Sequence, residues 1–138
     1  MVIKEIINFL VVAIIILVSL TYVHELGHAY LAKIFGCSAK SVIFDDYFVS
    51  YTAVSCKSYN DLIALGGIIF SVIFSFLYLV LGKEYFFLSL SISLLLALDD
   101  LSIFINPFII ILFAAINSFY SYFLFFDKIK QEKREISL

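Results

Sequence analysis

Residues 6–35 read IINFLVVAIIILVSLTYVHELGHAYLAKIF, and this stretch decides the fold. Its first part, residues 6–23, is almost entirely apolar and is long enough to cross the roughly 30 Å hydrocarbon core of a bilayer as a helix. No helix-breaking residue appears before Gly36, so the helix is predicted to continue through His24 and His28. The histidines should therefore lie near the far end of the helix, at a membrane face that we call side B. The opposite face is side A.

The composition of the 138-residue chain is that of a membrane protein, with 64% hydrophobic and 14% charged residues. A soluble domain has about 45–50% apolar and about 25% charged residues. A soluble fold of this size could not bury so much apolar surface. We therefore expect a multi-pass integral membrane protein of the cell membrane, surrounded by the lipid bilayer and without a nucleic-acid partner. The first apolar stretch is too long for a typical signal peptide and is expected to be a retained helix.

The rest of the chain predicts three more spans and one small β element. A segment rich in β-branched and aromatic residues predicts a β-hairpin or short sheet on side B. Asn106 as N-cap and Pro107 at the first helical position predict the start of the last span. The predicted fold is an all-α membrane protein of about four transmembrane helices with a β-hairpin insertion after the first, forming one domain over residues 1–126. The expected boundaries are 6–35, 62–82, 85–105 and 107–126 for the spans, 37–60 for the hairpin region and 127–138 for a polar tail.

The pair His24 and His28 has the spacing of a metal site on a helix. Residues four apart lie on one helix face, so both imidazoles can hold one ion. Glu25 points about 100° away from His24, so it is poorly placed as a ligand but can face a water on the metal. This is the His-Glu-x-x-His arrangement of zinc peptidases, in which zinc lowers the pKa of a bound water and the glutamate removes its proton. The alternative is that both histidines are ordinary interfacial residues, but they are the only two in the chain.

A third protein ligand is required, and no histidine remains to supply it. The adjacent pair Asp99 and Asp100 interrupts an apolar span in the half nearer side B, where the histidines are expected. An aspartate at the centre of a membrane helix costs about 2.5–3.5 kcal/mol, and a dication would offset that cost. The pair could instead form a loop between two shorter segments. The other candidate ligands are Asp45, Asp46, Asp61, Glu84, Cys37 and Cys56.

Three sequence features resemble the site-2 protease family of intramembrane zinc metalloproteases, in a minimal form without a PDZ domain. They are HELGHAYLAKIFG (residues 24–36), LIALGGIIFSV (62–72) and LALDDL (96–101), in the order found in that family. The resemblance implies that His24, His28 and Asp99 bind Zn2+ and that Glu25 is the catalytic general base. Adjacent helical residues point about 100° apart, so only one of the two aspartates can readily face the site, and Asp100 is the alternative ligand or the residue that orients the second nitrogen of a histidine.

The resemblance also implies a substrate and a mode of binding. Family members hydrolyse peptide bonds in or near transmembrane segments of other membrane proteins. An unwound substrate could pair with an exposed edge of the hairpin at residues 41–55 by strand addition. The chain departs from the family pattern in two places. Asp100 replaces the glycine that follows the aspartate, and Asn106-Pro107 comes after the aspartates rather than before them.

The sequence gives conflicting indications of membrane orientation. Six basic residues are expected on side A and three on side B, which favours side A as cytoplasmic. The resemblance places the histidine end toward the cytoplasm, and this is the orientation we expect. A disulfide between Cys37 and Cys56 would instead indicate an oxidising compartment at side B. The basic residues counted are Lys4, Lys83, Lys128, Lys130, Lys133 and Arg134 against Lys33, Lys40 and Lys57.

Two other functions compete with an active protease. A non-catalytic membrane subunit could retain a protease-like metal site, although it would not need Glu25. A metal transporter would need additional polar residues along a path through the bilayer, and the sequence does not offer them.

Overall fold

The computed structural model describes residues 2–45, 50–56 and 61–136. Within these ranges the chain is mostly helical, with one small antiparallel sheet of two strands. The elements are α1 (Val2–Ile34), β1 (Ser38–Val42), β2 (Tyr51–Ser55), α2 (Asp61–Ser75) followed by a 3-10 helix (Phe76–Val80), α3 (Lys83–Leu96), α4 (Leu98–Ser102) and α5 (Pro107–Ile136).

Three helical segments in the described ranges are long and apolar enough to cross a membrane: Ile3–Ile34, Asp61–Val80 and Pro107–Glu132. They correspond to the first, second and fourth predicted spans. Their apolar side chains point mostly outward; Ile14 and Phe119 are 61% and 72% exposed. Such large apolar surfaces are unfavourable in water, so lipid is their natural surroundings.

The third predicted span is not one long helix. It consists of α3 and the five-residue α4, separated by a break at Ala97. The 14 residues of α3 rise about 21 Å, which is less than a bilayer core. The predicted set of four continuous spans is therefore not confirmed. Asp99 and Asp100 lie neither in a continuous span nor in a loop, but in the short helix after the break.

The predicted β-hairpin is present. β1 pairs with β2 in antiparallel register, from Ser38 opposite Ser55 to Val42 opposite Tyr51. Just beyond the first of these pairs, Cys37 and Cys56 form a disulfide that joins the open end of the hairpin. The sheet packs against α1, so its position is defined relative to the helix that carries the histidines.

The centre of the helical bundle is unusually polar. Six serines are completely or almost completely buried: Ser71, Ser75, Ser89, Ser91, Ser93 and Ser121. Ser91 Oγ donates to the Ala114 carbonyl at 2.8 Å and lies 2.6 Å from Ser118 Oγ, which links α3 to α5. Small residues and interhelical hydroxyl bonds are how helices associate when lipid surrounds them, because apolar side chains gain little by leaving lipid.

The last helix begins as predicted and ends later than predicted. Asn106 Oδ1 accepts a hydrogen bond from the backbone N–H of Phe108 at 2.9 Å, which confirms the N-cap. α5 then continues to Ile136, so the polar segment expected as a tail is largely helical. Near its end, Lys128 Nζ lies 2.9 Å from the buried carboxylate of Glu84 and connects α5 to the start of α3.

Candidate metal centre

His24, His28 and Asp100 come together at the side B end of the bundle. Asp100 Oδ2 lies 3.1 Å from Nε2 of His24 and 3.1 Å from Nε2 of His28. The two Nε2 atoms are themselves 3.1 Å apart. Both histidines are buried and Asp100 is partly buried, so three possible ligand atoms form a nearly equilateral triangle largely shielded from solvent.

The hydrogen bonding of His28 makes this triangle suitable for a cation. His28 Nδ1 lies 2.8 Å from the backbone carbonyl of Ile63, which can only accept, so Nδ1 must carry the hydrogen. In neutral His28 the other nitrogen, Nε2, then presents a lone pair toward the carboxylate of Asp100. Two lone pairs at this distance repel each other unless a proton or a metal ion lies between them. The arrangement therefore needs a proton shared among these atoms or a bound cation.

The dimensions of the triangle fit Zn2+. Zinc binds histidine nitrogen and carboxylate oxygen at about 2.0–2.2 Å, which puts tetrahedral ligand atoms about 3.3–3.5 Å apart. The observed separations of 3.1 Å are only a few tenths of an ångström shorter. Nε2 of His24, Nε2 of His28 and Oδ2 of Asp100 would therefore be the atoms that hold the ion.

Helix α2 supplies the surface against which the two imidazoles pack. A Cβ on Gly67 would lie 2.5 Å from His28 Nε2 and still closer to His24 Cε1, so only glycine leaves room for the rings. At the neighbouring residue of α2, the backbone of Gly66 lies directly against the backbone of Gly27 in α1. The tight glycine crossing of α1 and α2 thus brings the Ile63 carbonyl within reach of His28. Within the described ranges, His24 Nδ1 is a buried nitrogen without a hydrogen-bond partner.

Glu25 is buried, and the sheet holds its side chain. Thr52 Oγ1 lies 2.7 Å from Glu25 Oε2 and 3.1 Å from the Glu25 backbone carbonyl. Ser41, the residue opposite Thr52 in the sheet, lies 2.9 Å from the Thr52 hydroxyl. A threonine hydroxyl has one hydrogen, and the shorter contact assigns it to the carboxylate. Ser41 can then donate to Thr52, which gives a short chain of hydroxyls that ends on Glu25.

A cleft of about 490 Å³ opens in front of these residues. One side is formed by the histidines, Glu25 and the two aspartates. Residues in and next to β2 also line the cleft, and of these Thr52 and Val54 are alternate residues that share one face of the strand. One face of β2 is therefore turned toward the candidate metal centre, which leaves a groove along the strand.

The structure brings Asp100, rather than Asp99, to the histidines. Asp99 lines the same cleft but is exposed, and it is not part of the group whose ligand atoms lie within 4.8 Å of one another. The alternative ligand given by the sequence is therefore the one that the geometry favours. An aspartate that orients the second nitrogen of a histidine was also expected. For His28 that partner is the Ile63 carbonyl instead.

The other candidate ligands lie apart from the three-residue group. Cys37 and Cys56 are joined in a disulfide, so neither offers a thiolate. Glu84 pairs with Lys128, between the start of α3 and the end of α5. Asp61 is the first residue of α2 and is not in the group. Asp45 follows β1 and is not in the group, and Asp46 lies outside the described residues.

Three groups that shape the site were not predicted to do so: Thr52, the Ile63 carbonyl and Gly67. The glycine helix was noted only as part of the family resemblance. The hydroxyls of Ser50 and Thr52, two residues apart in the segment predicted as a strand, were the available signal for Thr52. A backbone carbonyl leaves no signal in the sequence.

Comparisons of the chain with models of protein families, with curated protein sequences and with solved structures find no match. The function must therefore be argued from the residues and the geometry of the site.

Proposed function

We propose that this chain is an intramembrane zinc metalloprotease of the site-2 protease type. The observation that carries the proposal is the triangle of His24, His28 and Asp100 with a buried Glu25 beside it, on helices suited to a bilayer. The residue types and the open cleft match what a catalytic zinc site requires, namely three protein ligands and a free position.

Each residue has a role that follows from its position. Nε2 of each histidine and Oδ2 of Asp100 would hold the ion, and the Ile63 carbonyl fixes the tautomer of His28. When bound, Zn2+ supplies Lewis acidity for a peptide carbonyl and lowers the pKa of water. The Glu25 carboxylate accepts a proton from the attacking water and passes it to the leaving nitrogen.

The cleft suits an extended peptide. β2 pairs with β1 alone among the described residues, so its other edge keeps unpaired backbone groups. A locally unwound transmembrane segment can satisfy its own backbone groups by adding to that edge. Its peptide bonds would then run past Glu25, because the β2 face that lines the cleft also carries Thr52.

The Cys37–Cys56 disulfide supports the membrane orientation opposite to the one we expected from the family resemblance. Disulfides persist in oxidising compartments, and the distribution of basic residues also favours side A as cytoplasmic. We therefore place the hairpin and the cleft on the non-cytoplasmic side. Substrates would be cut near that face of the membrane.

The test is a comparison of wild type with Glu25→Gln, purified in detergent and returned to liposomes with a membrane-anchored substrate. We expect bound zinc in both proteins and cleavage only by wild type, since Gln cannot accept the proton. Equal cleavage by the two proteins would exclude Glu25 from the mechanism. Wild type that lacks zinc would refute the proposed metal centre. Wild type that binds zinc but cleaves no substrate would favour the non-catalytic subunit.

A further inference from the structure

The hydrogen bond from Thr52 to Glu25 connects two parts of the molecule that are 27 residues apart. Glu25 belongs to α1, and Thr52 belongs to the sheet. The Thr52 hydroxyl contacts both the side-chain oxygen and the backbone carbonyl of Glu25, at 2.7 and 3.1 Å. A contact to both atoms of one residue fixes the position of the hydroxyl relative to that residue, and therefore the rotamer of its carboxylate.

Glu25 needs such a partner because α1 alone does not fix the rotamer of its carboxylate. Glu25 and His28 are three residues apart and are neighbours on the helix surface, so α1 brings Glu25 near the metal centre without holding the end of its side chain. Its side chain is only 6% exposed, so water cannot orient it freely. A buried carboxylate without a hydrogen-bond donor is costly, and Thr52 supplies a donor.

We propose that Thr52 is a positioning residue for Glu25, and that the β1–β2 hairpin serves to hold the general base beside the metal centre. This inference rests on the proposed function, because it gives Glu25 the role of base. The Thr52 hydroxyl donates to Oε2, which leaves Oε1 to face the cleft and the attacking water. Ser41 orients the Thr52 hydroxyl from the opposite strand.

The register of the hairpin keeps the Thr52 hydroxyl in contact with Glu25. The pairing of Ser41 with Thr52 lies near the middle of the five paired positions. The disulfide joins the strand ends at one side, so the strands cannot slip past each other. A one-residue slip would turn Thr52 to the opposite face of the sheet and away from Glu25.

The first test is kinetic and uses Thr52→Val, which removes the hydroxyl at almost constant shape, and Thr52→Ser, which retains it. A hydrogen bond to a charged group corresponds to about a 10- to 100-fold change in rate. We expect Thr52→Val to lower kcat by about that factor with KM and zinc content unchanged, and Thr52→Ser to restore most of the activity. Thr21→Val is the matched control, since its hydroxyl donates to the Leu17 carbonyl of its own helix.

The second test does not require activity. A double-mutant cycle of Thr52→Val and Glu25→Ala is read from the unfolding temperature of the metal-free chain. If the two side chains interact, the shifts will not be additive, and the double variant will be little less stable than Glu25→Ala alone. Additive shifts would overturn the proposal. So would loss of zinc in Thr52→Val, a kcat for Thr52→Val equal to wild type, or a Thr52→Ser variant as impaired as Thr52→Val.

The two tests separate the inference from the proposed function. If wild type fails to cleave any substrate, the proposed function fails, and the cycle still decides whether Thr52 holds Glu25. If wild type cleaves and Glu25→Gln does not, but the cycle is additive, the protease proposal stands and the role of Thr52 is refuted.

Discussion

Replacing Asp100 with asparagine should weaken zinc binding far more than the same change at its neighbour Asp99. Asp100 Oδ2 is the only carboxylate oxygen in the triangle and lies 3.1 Å from both histidine nitrogens. Its loss leaves two neutral imidazoles to hold a dication. Asp99 is exposed and outside the group, so Asp99→Asn keeps all three ligand atoms. The pair is therefore a matched comparison of one chemical change at two adjacent positions.

The expected loss of zinc affinity in Asp100→Asn follows from the kind of contact that is lost. Changing a residue that only supports a metal ligand costs about 10- to 100-fold in metal affinity. Removing a charged ligand itself should cost at least about 100-fold, or about 2.8 kcal/mol. A surface change at Asp99 falls within about 0.5 kcal/mol, which is about twofold.

The measurement is zinc affinity in detergent, by competition with a chelating indicator, together with the unfolding temperature at several zinc concentrations. An ion that binds only the folded chain stabilises it in proportion to the logarithm of its concentration relative to Kd. A 100-fold weaker site therefore loses about 2.7 kcal/mol of zinc-dependent stability. Zinc loss in Asp99→Asn but not in Asp100→Asn would refute the ligand assignment. A wild type whose stability does not respond to zinc would identify the triangle as a simple ion pair between Asp100 and a protonated His28.

Two further predictions concern the supports of the site. Gly67→Ala should lower both zinc affinity, by about 10-fold or more, and stability, by about 1–3 kcal/mol, because the added Cβ collides with both imidazoles. Gly36→Ala meets no neighbouring atom within 4 Å, but Gly36 has a φ of 70°, so this control should lose some stability and keep its zinc affinity. An equal loss of zinc affinity in both variants would contradict the reasoning. Reduction of the Cys37–Cys56 disulfide should destabilise the hairpin by up to about 3 kcal/mol and lower cleavage while zinc stays bound, because no cysteine is a ligand. The unfolding temperature of a Cys37→Ser, Cys56→Ser double variant should not change in reductant. If the unfolding temperature of wild type does not change either, the disulfide has no stabilising role.

Most of the fold could be predicted from simple patterns in the sequence. Long apolar runs predicted α1 and α5, and β-branched residues around a polar turn predicted the hairpin. The break at Ala97 could not be predicted in the same way. Alanine is the best helix former, and serine and leucine precede it, so nothing in the local sequence interrupts the helix.

That single break also explains why the sequence alone could not decide between the two aspartates. Neighbouring helical residues point about 100° apart, so the choice between Asp99 and Asp100 depends on the rotation of the helix that carries them. α4 is a separate helix that begins after Ala97. Its rotation about its own axis is therefore set by its packing and does not continue from α3. A motif comparison that aligns Leu98-Asp99 with a family pattern carries no information on that rotation.

The site is assembled from elements that are far apart in sequence, which links its chemistry to the whole fold. α1 supplies two histidine nitrogens and the neighbouring Glu25. The Ile63 carbonyl of α2 sets the tautomer of His28, Asp100 of α4 supplies the charge, and Thr52 of β2 donates a hydrogen bond to the carboxylate of Glu25. None of these contacts is an ordinary consequence of packing apolar helices in lipid. Their convergence on one cleft is the strongest reason to interpret the polar residues of this chain as a catalytic centre rather than as isolated interfacial side chains.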